Sequence, residues 1–265
     1  MGAAPLGPAG GGGDEMSAQP LRDQVVLVTG GGGGIGSAIC RSCAAAGAAV
    51  VLTYNRDAAR AERLAEQLPG AGHLVAHAPV DDSSVLRRLA EQIAARYDRL
   101  DLLVNNAGIT WPVAHHDLDG LDDTLIDDIF RVNWRGAFAS IRALRALLAA
   151  GDGGLVVNIS SVAGRTGIGS NVAYCASKAA MDVMTKSLAR ALAPQIRVVS
   201  VSPGWVEGEY ASRIDPAILD EQRQKTPLKR IAKADDVADA VLAVATLLRF
   251  TTGSIIPVDG GRPLN

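Results

Sequence analysis

Short apolar runs rich in Val, Ile and Leu alternate along the chain with longer segments whose apolar residues recur at helical spacing. Seven runs read as strands: Gln24–Thr29, Ala49–Thr53, His73–His77, Asp101–Asn105, Leu155–Ser160, Ile196–Ser202 and Ser254–Val258. Their nearly continuous apolarity predicts strands covered on both faces. Between them the pattern predicts helices over Ile35–Ala46, Asp57–Leu68, Ser83–Tyr97, Asp122–Ala149, Val172–Ala193 and Asp235–Leu247. Pro194 helps to stop the fifth. Strand and helix in repeated alternation predict an α/β fold: a parallel seven-stranded sheet with helices on both faces, doubly wound in the Rossmann manner. Residues 21–265 contain no stretch of linker composition and read as one domain. Residues 1–20, mostly Gly, Ala and Pro, read as a flexible leader.

Composition narrows the class. The chain has 265 residues, 48% of them apolar, which suits one large domain with a substantial core. A formal net charge of −2 argues against a general nucleic-acid binder. No apolar run has the length of a membrane span, and the start lacks the order of a secretory signal. A cytoplasmic protein without membrane or nucleic-acid partners is therefore expected. Cys40 and Cys43 form a CxxC spacing inside an Ala-rich helical pattern, with no second pair, and read as small buried residues. Trp111 and Trp205 both follow strand ends and are candidates for the substrate pocket or for surface packing. Six aspartates between Asp117 and Asp128 suit the positive end of a helix better than a calcium loop. No metal site is expected.

The first strand runs into Thr29-Gly30-Gly31-Gly32-Gly33-Gly34-Ile35-Gly36, where a helix begins. Glycines allow a sharp turn and close approach of backbone to a pyrophosphate, which the free N–H groups of the helix start then stabilise. Both GxGxxG (Gly31, Gly33, Gly36) and GxxxGxG (Gly30, Gly34, Gly36) fit the run. At the second strand's tip, where an acid would grip both ribose hydroxyls of NAD, the chain has Tyr54-Asn55-Arg56. A guanidinium pairs well with a 2′-phosphate, so the cofactor expectation favours NADP over NAD.

Tyr174 and Lys178 lie four apart on a predicted helix and share one face. An ammonium beside a phenol lowers its pKa from ~10 towards neutrality, which makes an acid for carbonyl reduction or a base for alcohol oxidation. The preceding strand ends at Ser160-Ser161, on the sheet edge where ligands bind in this architecture.

With these residues the chain resembles the short-chain dehydrogenase/reductase family over essentially all of residues 22–262. The shared motifs are TGxxxGxG (Thr29–Gly36), NNAG (Asn105-Asn106-Ala107-Gly108), an asparagine in the long middle helix (Asn133), a serine thirteen residues before the tyrosine (Ser161), Tyr174 with Lys178, Pro203-Gly204, and Val258-Asp259-Gly260-Gly261. The resemblance implies a catalytic tetrad of Asn133, Ser161, Tyr174 and Lys178. Ser161 polarises the carbonyl, Tyr174 donates the proton, Lys178 holds the ribose hydroxyls and tunes Tyr174, and Asn133 holds a water that links Lys178 to solvent. It implies cofactor contacts from Gly30, Gly32, Gly33, Gly34, Ile35 and Gly36. Tyr54, Asn55, Arg56 and Val80 would follow on the adenosine side. Asn106, Ala107, Gly108, Tyr174, Lys178, Pro203, Gly204 and Val206 complete the set. It also implies a small-molecule carbonyl or alcohol substrate and a homo-oligomer, dimer or tetramer.

Two positions depart from the family pattern. Gly208 stands where many relatives have a threonine for the nicotinamide amide, and Pro79-Val80 where they often have Asp-Val. Asn-Arg after the second strand, Thr226-Pro227-Leu228 and Asp235-Asp236-Val237-Ala238 are similar to the 3-oxoacyl-[acyl-carrier-protein] reductase branch. The expected activity is hydride transfer between nicotinamide and a carbonyl or secondary alcohol, with a 3-oxoacyl thioester among the substrates considered. An NAD-dependent polyol or sugar dehydrogenase and a non-catalytic dinucleotide-binding sensor are the rival readings. The complete tetrad speaks against the sensor.

Overall fold

A computed structural model describes residues 19–208 and 211–264. The leader read over 1–20 falls almost wholly outside them. Seven parallel strands form one sheet in the order β3-β2-β1-β4-β5-β6-β7. They are β1 (Val25–Val28), β2 (Ala49–Tyr54), β3 (Leu74–His77), β4 (Leu102–Asn105), β5 (Gly154–Ile159), β6 (Ile196–Pro203) and β7 (Ile255–Val258). The order reverses between β1 and β4, which opens the ligand crevice of a doubly wound sheet at their carboxyl ends.

Alternation along each strand feeds two cores. Val26 and Val28 point to the face covered by α1 (Gly34–Ala45) and α9 (Ala234–Thr246). Val25 and Leu27 point to the opposite face, covered by α3 (Ser83–Tyr97), α5 (Ala137–Leu148) and α7 (Val172–Leu192). Cys40 and Cys43 are packed within the first core, and burial pushes both thiols up, Cys43 to about 12. A thiol held that far from ionisation is a packing group. Ala193, preceding Pro194, leaves the helix in an extended conformation and α7 stops.

Three features differ from the sequence expectation. The edge strands β3 and β7 are only partly buried, so the two-faced covering expected from their apolarity holds for the central strands alone. Pro257 in β7 is tolerated because an edge strand has a ladder side without a partner. The helix expected over Asp122–Ala149 is α4 (Asp123–Phe130) and α5 joined by a π-helical turn, Arg131–Gly136. Apolar period alone does not register one extra residue in a turn. Two helices carried too little apolar period to be read: α6 (Ala163–Thr166) and α8 (Pro216–Lys225), the latter with no buried residue. Asp122 caps α4 through Leu125 N–H and Asp117 accepts from Gly120 N–H, so these aspartates serve local turns. Among the described residues no helix is long and apolar enough to cross a membrane.

Candidate active site

The carboxyl edge of the sheet holds a cavity of roughly 460 Å3. One wall is the Gly33–Gly36 turn. The others come from Asn106 and Gly108–Thr110 after β4, Ile159–Ala163 after β5, Tyr174 and Lys178 on α7, and Pro203–Gly208 after β6.

The glycine turn is fitted by close approach. Gly30 has φ +64, and a side chain there would meet Ala107 at 3.2 Å. A Cβ at Gly36 would lie 2.4 Å from the Gly30 carbonyl and 2.7 Å from Asn106 Nδ2. Gly31 is pressed against Leu52, where a Cβ would stand at 2.6 Å, so it packs the turn onto β2. Asn106 Nδ2 donates to Thr29 O and Gly30 O at 3.0 and 3.1 Å, and Thr29 Oγ1 accepts from Asn106 N–H and Ala107 N–H. Helix α1 starts at Gly34, and Gly33 before it offers no capping side chain and its first turn no acid, whereas α2 (Ala58–Gln67), α3, α4, α7 and α8 are each capped by an Asp or Asn. Its first N–H groups therefore face the cavity as uncommitted donors, a fit for a pyrophosphate.

On the adenosine side, Tyr54 is half-buried against His77, with ring centroids 5.4 Å apart. His77 Nε2 lies 3.1 Å from the Asn55 carbonyl. Asn55 and Arg56 are exposed. Asp57 caps α2 through Arg60 N–H, which commits its carboxylate to the helix. Val80 is buried against the Gly136 backbone. Asp81 pairs with Arg131 at 3.0 Å and Asp82 caps α3. The carboxylates after Pro79-Val80 thus serve the fold. Gly208 has φ +146, a backbone state that a threonine rarely adopts.

On the other side, Lys178 is buried and donates to the Ile159 carbonyl at 2.7 Å. Its Nζ lies 5.7 Å from the centre of the Tyr174 ring. Burial pushes Lys178 down to about 8, with Asp182, one turn further on, pulling the other way. Burial raises the Asp182 carboxyl in turn. Ser161 is buried at the cavity wall, where its Oγ accepts from Ala163 N–H. Ser160 also borders the cavity, but its hydroxyl is engaged below it, with the Asp182 carboxyl and, at 3.4 Å, the Lys178 carbonyl. Asn133 sits in the π turn. It accepts from Ile109 N–H at 2.8 Å and donates both amide hydrogens, to Ile109 O and to Ser177 Oγ. Its side chain therefore has no hydrogen left to donate to a water. Trp205 lines the cavity, whereas Trp111 is 59% exposed beyond it.

Ser161, Tyr174, Lys178 and most of the glycine turn therefore meet at one cavity, while Tyr54, Asn55, Arg56 and Val80 lie outside it along β2 and β3. Sequence reasoning missed the Ile159 carbonyl, which has no side-chain signal. It also missed Asn171, although an Asn just before a helical period is a readable cap.

A dinucleotide cradle joined to a Ser–Tyr–Lys wall defines an oxidoreductase that works with a nicotinamide cofactor. Comparison with known proteins agrees. The family model described as enoyl-(acyl carrier protein) reductase matches residues 31–262. A Streptomyces violaceoruber protein named ketoacyl reductase 2 of the granaticin polyketide synthase is 37% identical, covering 91% of this chain and 96% of that one. The 3-oxoacyl-[acyl-carrier-protein] reductase FabG of Aquifex aeolicus is 35% identical, covering 91% and 98%. A short-chain dehydrogenase/reductase structure from Burkholderia xenovorans has a TM-score of 0.84 at 34% identity, covering 91% and 98%. The chain belongs to the short-chain dehydrogenase/reductase family and is an oxidoreductase acting on carbonyl and alcohol groups.

Proposed function

We propose that the chain is an NADPH-dependent reductase of a ketone on an acyl chain, with a 3-oxoacyl thioester as the substrate class. The observation that carries this reading is the shared cavity: a phosphate-fitted turn at one end and a Ser, a Tyr and a buried Lys at the other. When bound, the nicotinamide supplies the hydride. Ser161 donates a hydrogen bond to the substrate oxygen, and Tyr174 transfers its phenolic proton to that same oxygen, so the carbonyl becomes a secondary alcohol. Lys178 uses one of three ammonium hydrogens on Ile159 O; the others are free for ribose hydroxyls, and its charge lowers the pKa of Tyr174. Asn133 holds the Ile109 main chain and so fixes the wall beside Lys178. The names of the ketoacyl reductase relatives support the substrate class.

The NADPH preference rests on Arg56. It is exposed beyond the β2 tip, where no acid competes for the ribose, and Asp57 is engaged at the α2 cap. Fluorescence titration with NADPH and NADH, followed by turnover of an acetoacetyl thioester, tests the proposal. Arg56→Ala is expected to weaken NADPH binding about tenfold, a typical loss for one charge-assisted contact, and to leave NADH unchanged. Tighter NADH binding by the wild-type protein, or a carbonyl panel without thioester turnover, would refute the respective half.

A further inference from the structure

Asn171 is completely buried at the start of α7. Its Oδ1 accepts from Tyr174 N–H at 2.7 Å, so the helix cap is made on the peptide of Tyr174 itself. Its Nδ2 donates at 2.8 Å to the carbonyl of Trp111, in the loop after β4. The same two loops meet at three more points. Val113 N–H donates to Ser170 O at 2.9 Å. The Thr110 and Ser170 hydroxyls bond each other, and His115 Nε2 lies 3.1 Å from Gly169 O. Ile109, Thr110, Ile168 and Ser170, from both laced segments, line the cavity. The wall opposite the glycine turn is therefore one laced unit, and the Asn171 side chain ties the loop after β4 to the first turn of the helix that carries Tyr174.

We infer that Asn171 is a positioning residue: its carbonyl oxygen seats Tyr174, and its amide hydrogens hold the wall at the width that grips the substrate. The inference rests on Tyr174 being the acid. The two functions of the side chain separate chemically. A serine retains an acceptor for Tyr174 N–H and loses the reach to Trp111 O, whereas an alanine loses both.

The test is steady-state turnover of acetoacetyl thioester by Asn171→Ser and Asn171→Ala, with NADPH affinity read by fluorescence. Asn171→Ser is expected to raise KM about tenfold, the upper range for one buried hydrogen bond. Its kcat should stay within about threefold and its NADPH affinity unchanged. Asn171→Ala is expected to lose kcat about fivefold as well, the usual magnitude for a missing cap. Ser170→Ala, which loosens the lacing and leaves Asn171 in place, should raise KM in the same direction. An unchanged KM in Asn171→Ser or Ser170→Ala overturns the inference. So does a fall in kcat alone, which would leave Asn171 a cap, or a joint loss of NADPH binding, which would make its role one of folding. A Tyr174→Phe control separates the two levels: if that variant stays active, the underlying reading fails whatever Asn171 does.

Discussion

Along β1 and α1 the cavity is walled by main chain; along β5 and α7 it is walled by side chains. The first region offers a ligand the uncapped N–H groups of Gly34 and Ile35, and at Gly31 and Gly36 it lacks side chains because a Cβ would collide. The second region places an ammonium where water is nearly excluded and holds it on one carbonyl. The difference teaches where each region is vulnerable. A main-chain wall fails when an atom is added. A side-chain wall fails when an atom is removed, and it carries a stability cost that the first does not.

Removing one oxygen from the side-chain wall should give the largest effect. Tyr174→Phe is expected to lower kcat by about 10²–10⁴-fold, the usual contribution of a positioned acid, with NADPH affinity within about threefold of wild type. Stopped-flow turnover and titration read the two quantities. Activity within tenfold of wild type would remove Tyr174 as the acid.

Removing Lys178 should cost activity and yet change stability in the favourable direction at neutral pH. It is ionised below about 8 in the folded chain and below 10.5 when unfolded. The unfolded state therefore binds more protons between those values, and stability rises with pH across that window. The fall to about 8 corresponds to about 3 kcal/mol of burial cost at neutral pH. Lys178→Met should recover part of it, less about 1 kcal/mol for the lost Ile159 hydrogen bond. Urea unfolding at pH 7 and pH 10 measures this. The variant should be the more stable at pH 7, should lose that advantage by pH 10, and should be inactive. On the proposed mechanism the wild-type rate of reduction should fall as pH rises through about 8, where Lys178 loses its charge. A variant less stable at both pH values would show that burial is not the dominant influence on Lys178.

The main-chain wall responds to the opposite kind of change. Gly36→Ala places a Cβ against the Gly30 carbonyl, an overpacking that costs about 1–3 kcal/mol. Dinucleotide affinity is expected to fall about tenfold, with kcat at saturation little changed. Wild-type affinity in this variant would mean that the turn yields, and that its glycines are there for some other reason.

The two regions also differ in how far the sequence disclosed them. The glycine turn was legible because a run of Gly between an apolar strand and a helix has few uses. All seven strands were legible because alternation in α/β chains is strong, although the exposure of β3 and β7 was not: the position of a strand in the sheet is a tertiary fact. Tyr174 and Lys178 were legible as an i, i+4 pair, and Ser161 and Asn133 through family motifs. The support around them was hidden. Ile159 acts through its carbonyl, which any residue would supply. Asn133 is fastened to Ile109, twenty-four residues away, and neither partner marks the other in the sequence.

The π turn at Arg131–Gly136 bears on the length of the chain rather than its chemistry. A π turn is an α-helix that has absorbed one surplus residue. Deleting any one residue from this stretch would restore ordinary pitch from α4 into α5, with every apolar residue of α5 still spaced for its core. Asn133, however, would be rotated by about 100° relative to one of the two helices and drawn off the Ile109 main chain. Outside Asn133 and Gly136, whose backbone packs on Val80, the segment can therefore be rewritten in composition far more freely than it can be shortened.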